Sequence, residues 1–244
     1  MEMASFEDKT VLVTGGSRGL GEAVCRLFAS VGCRVIVNCS HDLAPAEQLA
    51  KEIGGEAYKC DISDERAVKE MFDRVGQVDI LVNNARIDPY MRKAGSTDGE
   101  WWDAVLGVNL KGAYLCGKFA IEGMKARRWG RIINISSLWA YQPPTEKMFA
   151  YAAAKSAMHA LSRGFAMLGA EYGVTSNVLA PGLILTKLAR VRLTEAQLAA
   201  EMSAIPMKRG APPEEIAEAV LKIADTPFLN GEIINLNGGA FMRP

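Results

Sequence analysis

Histidine is scarce in this sequence, with only His41 and His159, and the five cysteines (Cys25, Cys33, Cys39, Cys60 and Cys116) are odd in number with no CxxC spacing. That argues against a metal site, and reduced, mostly buried thiols fit better than a disulfide framework. An excess of one charge is also missing. The 28 Lys and Arg balance 28 Asp and Glu, leaving nothing over to neutralise nucleic-acid phosphates or hold an anionic membrane. No apolar run reaches the ~18 residues of a membrane span. Residues 1–10 carry Glu2, Glu7 and Asp8 where a secretory leader needs a basic start and an apolar stretch. A cytoplasmic protein is expected, with neither nucleic acid nor membrane as a partner. No low-complexity linker, charge block or long repeat divides the chain, so one domain over residues 1–244 is expected.

Apolar residues are plentiful at 49%, against 23% charged, which suffices for a substantial core and excludes disorder and fibrous structure. Short apolar runs recur at residues 10–13, 34–37, 57–59, 78–82, 131–135, 176–179 and 233–236. Helical patterns lie between them, at residues 21–30, 45–53, 64–75, 100–125, 151–172, 194–204 and 213–223. Asp64 and Thr194 suit N-caps and Pro213 a first helical turn. Strands alternating with helices imply parallel pairing, and runs apolar at nearly every position imply helices on both faces. The predicted fold is α/β, a doubly wound seven-stranded parallel sheet of Rossmann type.

Directly after the first run comes Thr14-Gly15-Gly16-Ser17-Arg18-Gly19-Leu20-Gly21, and then a helix. Strand, glycine turn and helix in that order let backbone N–H groups approach a pyrophosphate lying at the positive end of the helix dipole. Gly15, Ser17, Arg18, Gly19, Leu20 and Gly21 are therefore candidate contacts for a dinucleotide. An acidic side chain at the end of the second strand would bind the ribose hydroxyls of NAD; the residues there are Val37-Asn38-Cys39-Ser40-His41. The small, neutral Cys39 and Ser40 leave room for a 2′-phosphate and Arg18 can supply it with positive charge, so NADP(H) is favoured over NAD(H). Asp42 stands close enough to reverse that preference, or it caps the following turn.

Tyr151 and Lys155 are four residues apart in Tyr-Ala-Ala-Ala-Lys, so both side chains leave one face of a helix. A free phenol is a poor acid or base at neutral pH, and neighbouring positive charge lowers its pKa. Asn134-Ile135-Ser136-Ser137 ends a buried strand at the edge where open α/β sheets bind ligands, which lets the Ser137 hydroxyl polarise a carbonyl. Gly107, Asn109 and Gly112 are poor mid-helix residues, and such local inconsistency marks a functional bend.

Together these residues resemble the short-chain dehydrogenase/reductase family, through TGGSRGLG, Asp61 in CDIS, NNA at residues 83–85, VNLKG, NISS, YAAAK, and Pro181-Gly182 followed by Thr186. The resemblance spans nearly the whole chain. It implies that Tyr151 is the proton donor, that Lys155 lowers its pKa and holds the nicotinamide ribose, that Ser137 orients the carbonyl, and that Asn109 supports a water relay through the lysine. It further implies adenine contacts at Asp61 and Ile62, a brace beside the cofactor at Asn83 and Ala85, and nicotinamide and phosphate contacts at Pro181, Gly182, Ile184 and Thr186. Homotetramers, built on the helices of Asn109 and Tyr151 and on the C-terminal region, are implied as well.

Three features depart from the family pattern. Arg86 stands where glycine usually lets the cofactor pass, with two courses open to it, towards solvent or towards the phosphates. The gap from Ser137 to Tyr151 is one residue longer than usual, and the segment 225–231 is short. Among relatives the chain is similar to 3-oxoacyl-[acyl-carrier-protein] reductases. Arg128 matches one of their carrier-docking positions, but Tyr172 occupies the other, and Lys125, Arg127 and Arg131 complete a basic cluster.

The expected reaction is NADP(H)-dependent reduction of a ketone to a secondary alcohol. The substrate is a small ketone or an acyl thioester, including one on an acyl carrier protein. Trp139, Tyr141, Met148, Phe149 and the loop at about 182–212 line the mouth or simply pack. An NAD-linked alcohol or polyol dehydrogenase and a silent dinucleotide-binding sensor or scaffold are the alternatives.

Overall fold

The computed structural model describes residues 6–242; Glu2 lies outside them. Seven strands form one parallel sheet: β1 (Thr10–Val13), β2 (Arg34–Cys39), β3 (Glu56–Lys59), β4 (Ile80–Asn83), β5 (Gly130–Ile135), β6 (Val174–Pro181) and β7 (Ile233–Leu236), in the order β3-β2-β1-β4-β5-β6-β7. Alternate strand residues point to opposite faces, and here both faces are covered. Val11, Val13, Val35, Val37, Ile80 and Val82 enter one hydrophobic cluster, while Leu12, Ile36, Leu81 and Ile132 enter the other. Helices on both sides explain why these strands lack a polar alternation.

Between the strands lie α1 (Gly19–Ser30), α2 (Ala44–Ile53), α3 (Glu65–Val75), α4 (Asp98–Leu106), α5 (Ala113–Ala126), α6 (Phe149–Gly169), α7 (Lys187–Arg192), α8 (Glu195–Ala204) and α9 (Pro213–Ala224). Phe28 of α1, Leu49 of α2 and Val220 of α9 bury on the first face; Met71 of α3, Ile121 of α5 and Phe165 of α6 bury on the second. Asp64 caps α3 by accepting from the amides of Arg66 and Ala67, and Thr194 caps α8 in a capping box with Gln197.

Two elements differ from the sequence reading. The helix expected over residues 100–125 starts at Asp98, behind a Thr97–Glu100 capping box, and its middle, Gly107–Gly112, is π-helical, so the bend expected around Asn109 is a widened turn. The loop after Gly182 contains α7 besides the expected α8, and α7, at six residues, is too short to show a helical period. Among the described residues, no helix is long and apolar enough to cross a membrane.

The chain winds one way from β1 to β3 and the other way from β4 to β7, so the ends of β1 and β4 flank the point where strand order reverses. Ligands of open α/β sheets bind in the crevice at that place.

Candidate active site

At this crevice the turn after β1 and the segment after β4 are tied together. Thr14 Oγ1 accepts from the Asn84 and Ala85 amides at 3.0 and 3.1 Å, and Asn84 Nδ2 donates to the carbonyls of Thr14 and Gly15 at 2.9 and 3.0 Å. A Cβ on Gly21 would stand 2.3 Å from the Gly15 carbonyl oxygen, so only glycine lets α1 start this close. Gly19 has φ +57° and faces Thr186, whose Cγ2 would lie 3.3 Å from a side chain there. Arg18, the N-cap of α1, makes no side-chain cap bond, leaving the first amides of the helix open. Backbone donors, glycine clearance and a positive helix end together fit the pyrophosphate of a dinucleotide.

Around this groove, Asn83 Nδ2 donates to Asn134 Oδ1 at 2.9 Å and to the Ala113 carbonyl at 3.4 Å, bracing β4 against β5 and α5. Cys39 and Ile62 are buried, and Ser40 and Asp61 are exposed, with Asp61 Oδ1 accepting from the Ser63 amide at 2.9 Å. Following Pro181, the Gly182 amide donates to the Leu236 carbonyl, Ile184 bridges to Ala211, and Thr186 caps α7. Of the two courses left open for Asp42, the cap on the following turn is present, together with a pair to Arg18. Its Oδ1 accepts from the Ala44 amide at 3.3 Å, and its Oδ2 pairs with Arg18 at 3.3 Å in a solvent-exposed ion pair.

The second half of the site sits on α6 and at the end of β5. Tyr151 and Lys155 are buried on one face of the helix, with Lys155 Nζ 5.8 Å from the centre of the Tyr151 ring. Ser137, just past β5, holds the Tyr151 phenol's pKa down, and its hydroxyl oxygen accepts from the Trp139 amide at 3.2 Å. Lys155 Nζ donates to the Ile135 carbonyl at 2.6 Å. Burial, with the nearby Arg86 cation, brings the lysine down to about 7.

The phenol's electrostatics differ from the expectation that Lys155 lowers its pKa. Burial pushes the Tyr151 phenol above the usual tyrosine range, and the groups pulling against it are Arg86, the Ser137 hydroxyl and Arg192. A lysine brought to about 7 is only partly charged at neutral pH, which weakens it as a source of positive potential in the cofactor-free protein.

Asn109 lies in the π-helical turn, fully buried. Its Oδ1 accepts from the Ile87 amide at 2.6 Å and its Nδ2 donates to the Ile87 carbonyl at 3.1 Å. It thereby fixes the segment that carries Arg86. Arg86 remains exposed to solvent, and its guanidinium pairs with the buried carboxylate of Asp88, which Arg192 of α7 also grips. The Tyr90 amide donates to Asp88 Oδ1 at 3.1 Å. Burial alone would raise the Asp88 carboxyl, but Arg86 overrides it and holds the group below the usual carboxylate range.

Trp139 stands at the mouth, edge-on to both Tyr151 and Tyr90, with ring centres 6.2 and 6.4 Å apart. Met148 is fully buried and so belongs to the packing. His159 accepts or donates at 2.8 Å with Ser136 Oγ, a buried packing contact away from the reacting face. The basic cluster is not one patch. Arg127 bonds Asp79, Arg131 is buried on backbone carbonyls, and Lys125 and Arg128 both lie over the Tyr172 ring. Sequence reasoning missed Asn84, Asp88 and Arg192. Asn84 was visible beside Asn83, whereas the Asp88–Arg192 contact spans 104 positions and leaves no local signal.

Comparison with known proteins agrees with this geometry. The short chain dehydrogenase family model matches residues 9–197. An acetoacetyl-CoA reductase of Allochromatium vinosum is 34% identical, with 96% of this chain and 99% of the relative covered. A 3-oxoacyl-[acyl-carrier-protein] reductase of Vibrio harveyi is also 34% identical, with coverage of 98% and 99%. Among solved structures, a short chain dehydrogenase/reductase family protein superposes with a TM-score of 0.87 at 32% identity, covering 96% of this chain and 98% of the other.

Proposed function

The chain belongs to the short-chain dehydrogenase/reductase family, and from this premise we propose that it reduces a ketone to a secondary alcohol with NADPH, a 3-oxoacyl thioester being the leading substrate class. The observation that carries the reading is the buried Tyr151 phenol, with Ser137 close enough to act on its pKa and Lys155 one turn further along α6, beside a groove shaped for a dinucleotide.

When bound, the nicotinamide supplies the hydride. Tyr151 gives its phenolic proton to the substrate oxygen, and the Ser137 hydroxyl donates a hydrogen bond to the same atom as charge builds there. A phenol kept protonated by burial suits the reductive direction, because the acid is loaded before the ketone arrives. Lys155 has N–H groups beyond the one given to Ile135 and uses them on the nicotinamide ribose. Asn109 holds the 86–88 segment in place by its two bonds to Ile87.

Cofactor choice follows from the end of β2. Cys39 and Ser40 offer no carboxylate to a ribose, and Arg18 offers charge to a 2′-phosphate. The Arg18–Asp42 pair is exposed on both sides, so a phosphate displaces Asp42 at little cost. Two relatives whose names specify acyl thioester substrates support that class. Arg128 remains as a cation for an acidic carrier, while Lys125 shares its charge with Glu122. Exposed Tyr114, Met167, Leu168 and Phe228 supply apolar surface for a homotetramer, which light scattering would report as four times the 26.4 kDa chain.

A panel of 3-oxoacyl thioesters and free ketones, assayed with NADPH and NADH, tests the reading. Turnover with kcat/KM at least tenfold higher for NADPH is expected. Equal or better use of NADH supports the NAD-linked dehydrogenase instead, and tight NADPH binding without turnover of any compound supports the sensor.

A further inference from the structure

The mouth of the site holds two guanidinium groups and one carboxylate, and the mechanism above uses none of them. Arg86 leaves the end of β4 and Arg192 comes from α7, and both grip Asp88, whose side chain is 4% exposed. One carboxylate offsets one of the two cations, so the cluster carries a net positive charge in a partly dehydrated place. Asp88 is buried, while Arg86 and Arg192 are 38% and 28% exposed, so the surplus positive charge is open to a ligand that brings a counter-ion. Arg192 Nε is shielded from solvent and has no hydrogen-bond partner, so a charged donor stands unused.

The cluster is fixed in place and next to the reacting groups. Asn109 bonds both the amide and the carbonyl of Ile87, between the two members of the Arg86–Asp88 pair. The Arg192 guanidinium lies 4.2 Å from the centre of the Tyr90 ring, and Tyr90 connects through Trp139 to Tyr151 in successive edge-on contacts. Arg86 is near enough to Tyr151 and Lys155 for its charge to act on both.

We propose that Arg86 and Arg192 bind a carboxylate on the substrate itself, so that the enzyme prefers an oxo acid to an uncharged ketone of the same shape. The choice of carboxylate follows from Asp88: the two guanidinium groups already meet around a planar carboxylate, the geometry their forks favour. This inference rests on the ketone-reductase reading and, within it, puts a free oxo acid in place of the acyl thioester as the substrate class.

The test compares acetoacetate, 4-oxopentanoate and 5-oxohexanoate with their methyl esters, using NADPH and the full chain. For at least one chain length the acid should have a kcat/KM tenfold or more above its ester. Arg86→Gln and Arg192→Gln should each pull that ratio towards one by raising KM for the acid, and Arg86→Lys should retain part of it. Should Arg86→Gln fail to fold, Arg192→Gln, from the surface helix α7, carries the comparison.

A wild-type ratio at or below one for every pair, with ketones still turned over, overturns the inference and leaves the reductase reading standing. So does an Arg86→Gln variant that binds NADPH less tightly while its acid-to-ester ratio is unchanged, since Arg86 would then serve the cofactor. If no ketone is reduced, the reductase reading fails. Calorimetric titration of the NADPH-loaded protein with the same acids and esters then decides the anion site, and acid binding no tighter than ester binding rejects it.

Discussion

A phenol serves as an acid only while it keeps its proton until the moment of transfer, and at Tyr151 burial secures this. Removal from water pushes its pKa up, while Arg86, the Ser137 hydroxyl and Arg192 restrain the rise. The sign for catalysis follows. Reduction needs the protonated phenol, so its kcat/KM should stay level through neutral pH and fall only above the ordinary tyrosine value of about 10. Oxidation of the alcohol needs the phenolate and should climb with pH over the same range. Paired pH profiles in the two directions check this, and a reductive rate that fell by half between pH 7 and 8 would contradict it. Tyr151 and Lys155 stood out in the sequence by their four-residue spacing, Ser137 by its place at the end of a buried strand, and Asn109 by its misfit in a helix. The charges around Tyr151 were not legible, since Arg192 reaches the site only through the fold.

At the scale of elements, the long helix before β5 shows how local misfits carry information. Gly107, Asn109 and Gly112 disfavour a regular helix, and the chain answers with a π-helical turn, a form that recurs at functional sites. The widened turn allows the buried Asn109 amide to reach Ile87. Gly112 has a steric role within it, because a Cβ there would lie 2.6 Å from Ile62 Cδ1. Gly112→Ala should therefore lower stability by about 1–3 kcal/mol through overpacking, read as a lower urea midpoint at unchanged slope. An unchanged midpoint would show that Ile62 yields freely. The helix was visible from its apolar pattern, and so were the caps at Asp64 and Thr194. The six residues of α7 gave no period to read, and its position over the mouth depends on the bridge between Ile184 and Ala211.

For the molecule as a whole, the all-apolar strands already required a sheet covered on both faces, and the glycine turn after β1 pointed to a ligand at its edge. What they left open was the way distant segments meet at the crevice: Asn84 closing on Thr14, Thr186 over Gly19, and Asp88 gripped by its neighbour Arg86 and by Arg192, 104 positions further on. The central claim is that this meeting place delivers a hydride to a carbonyl carbon while Tyr151 delivers the proton. It is tested most directly by following deuterium from NADPH deuterated at both C4 positions into the product alcohol, in the wild type and in Tyr151→Phe. The account predicts one deuterium on the carbinol carbon in the wild type and a rate lower by roughly 10²–10⁴ in the variant. Product without deuterium, or a Tyr151→Phe variant as fast as the wild type, would contradict it.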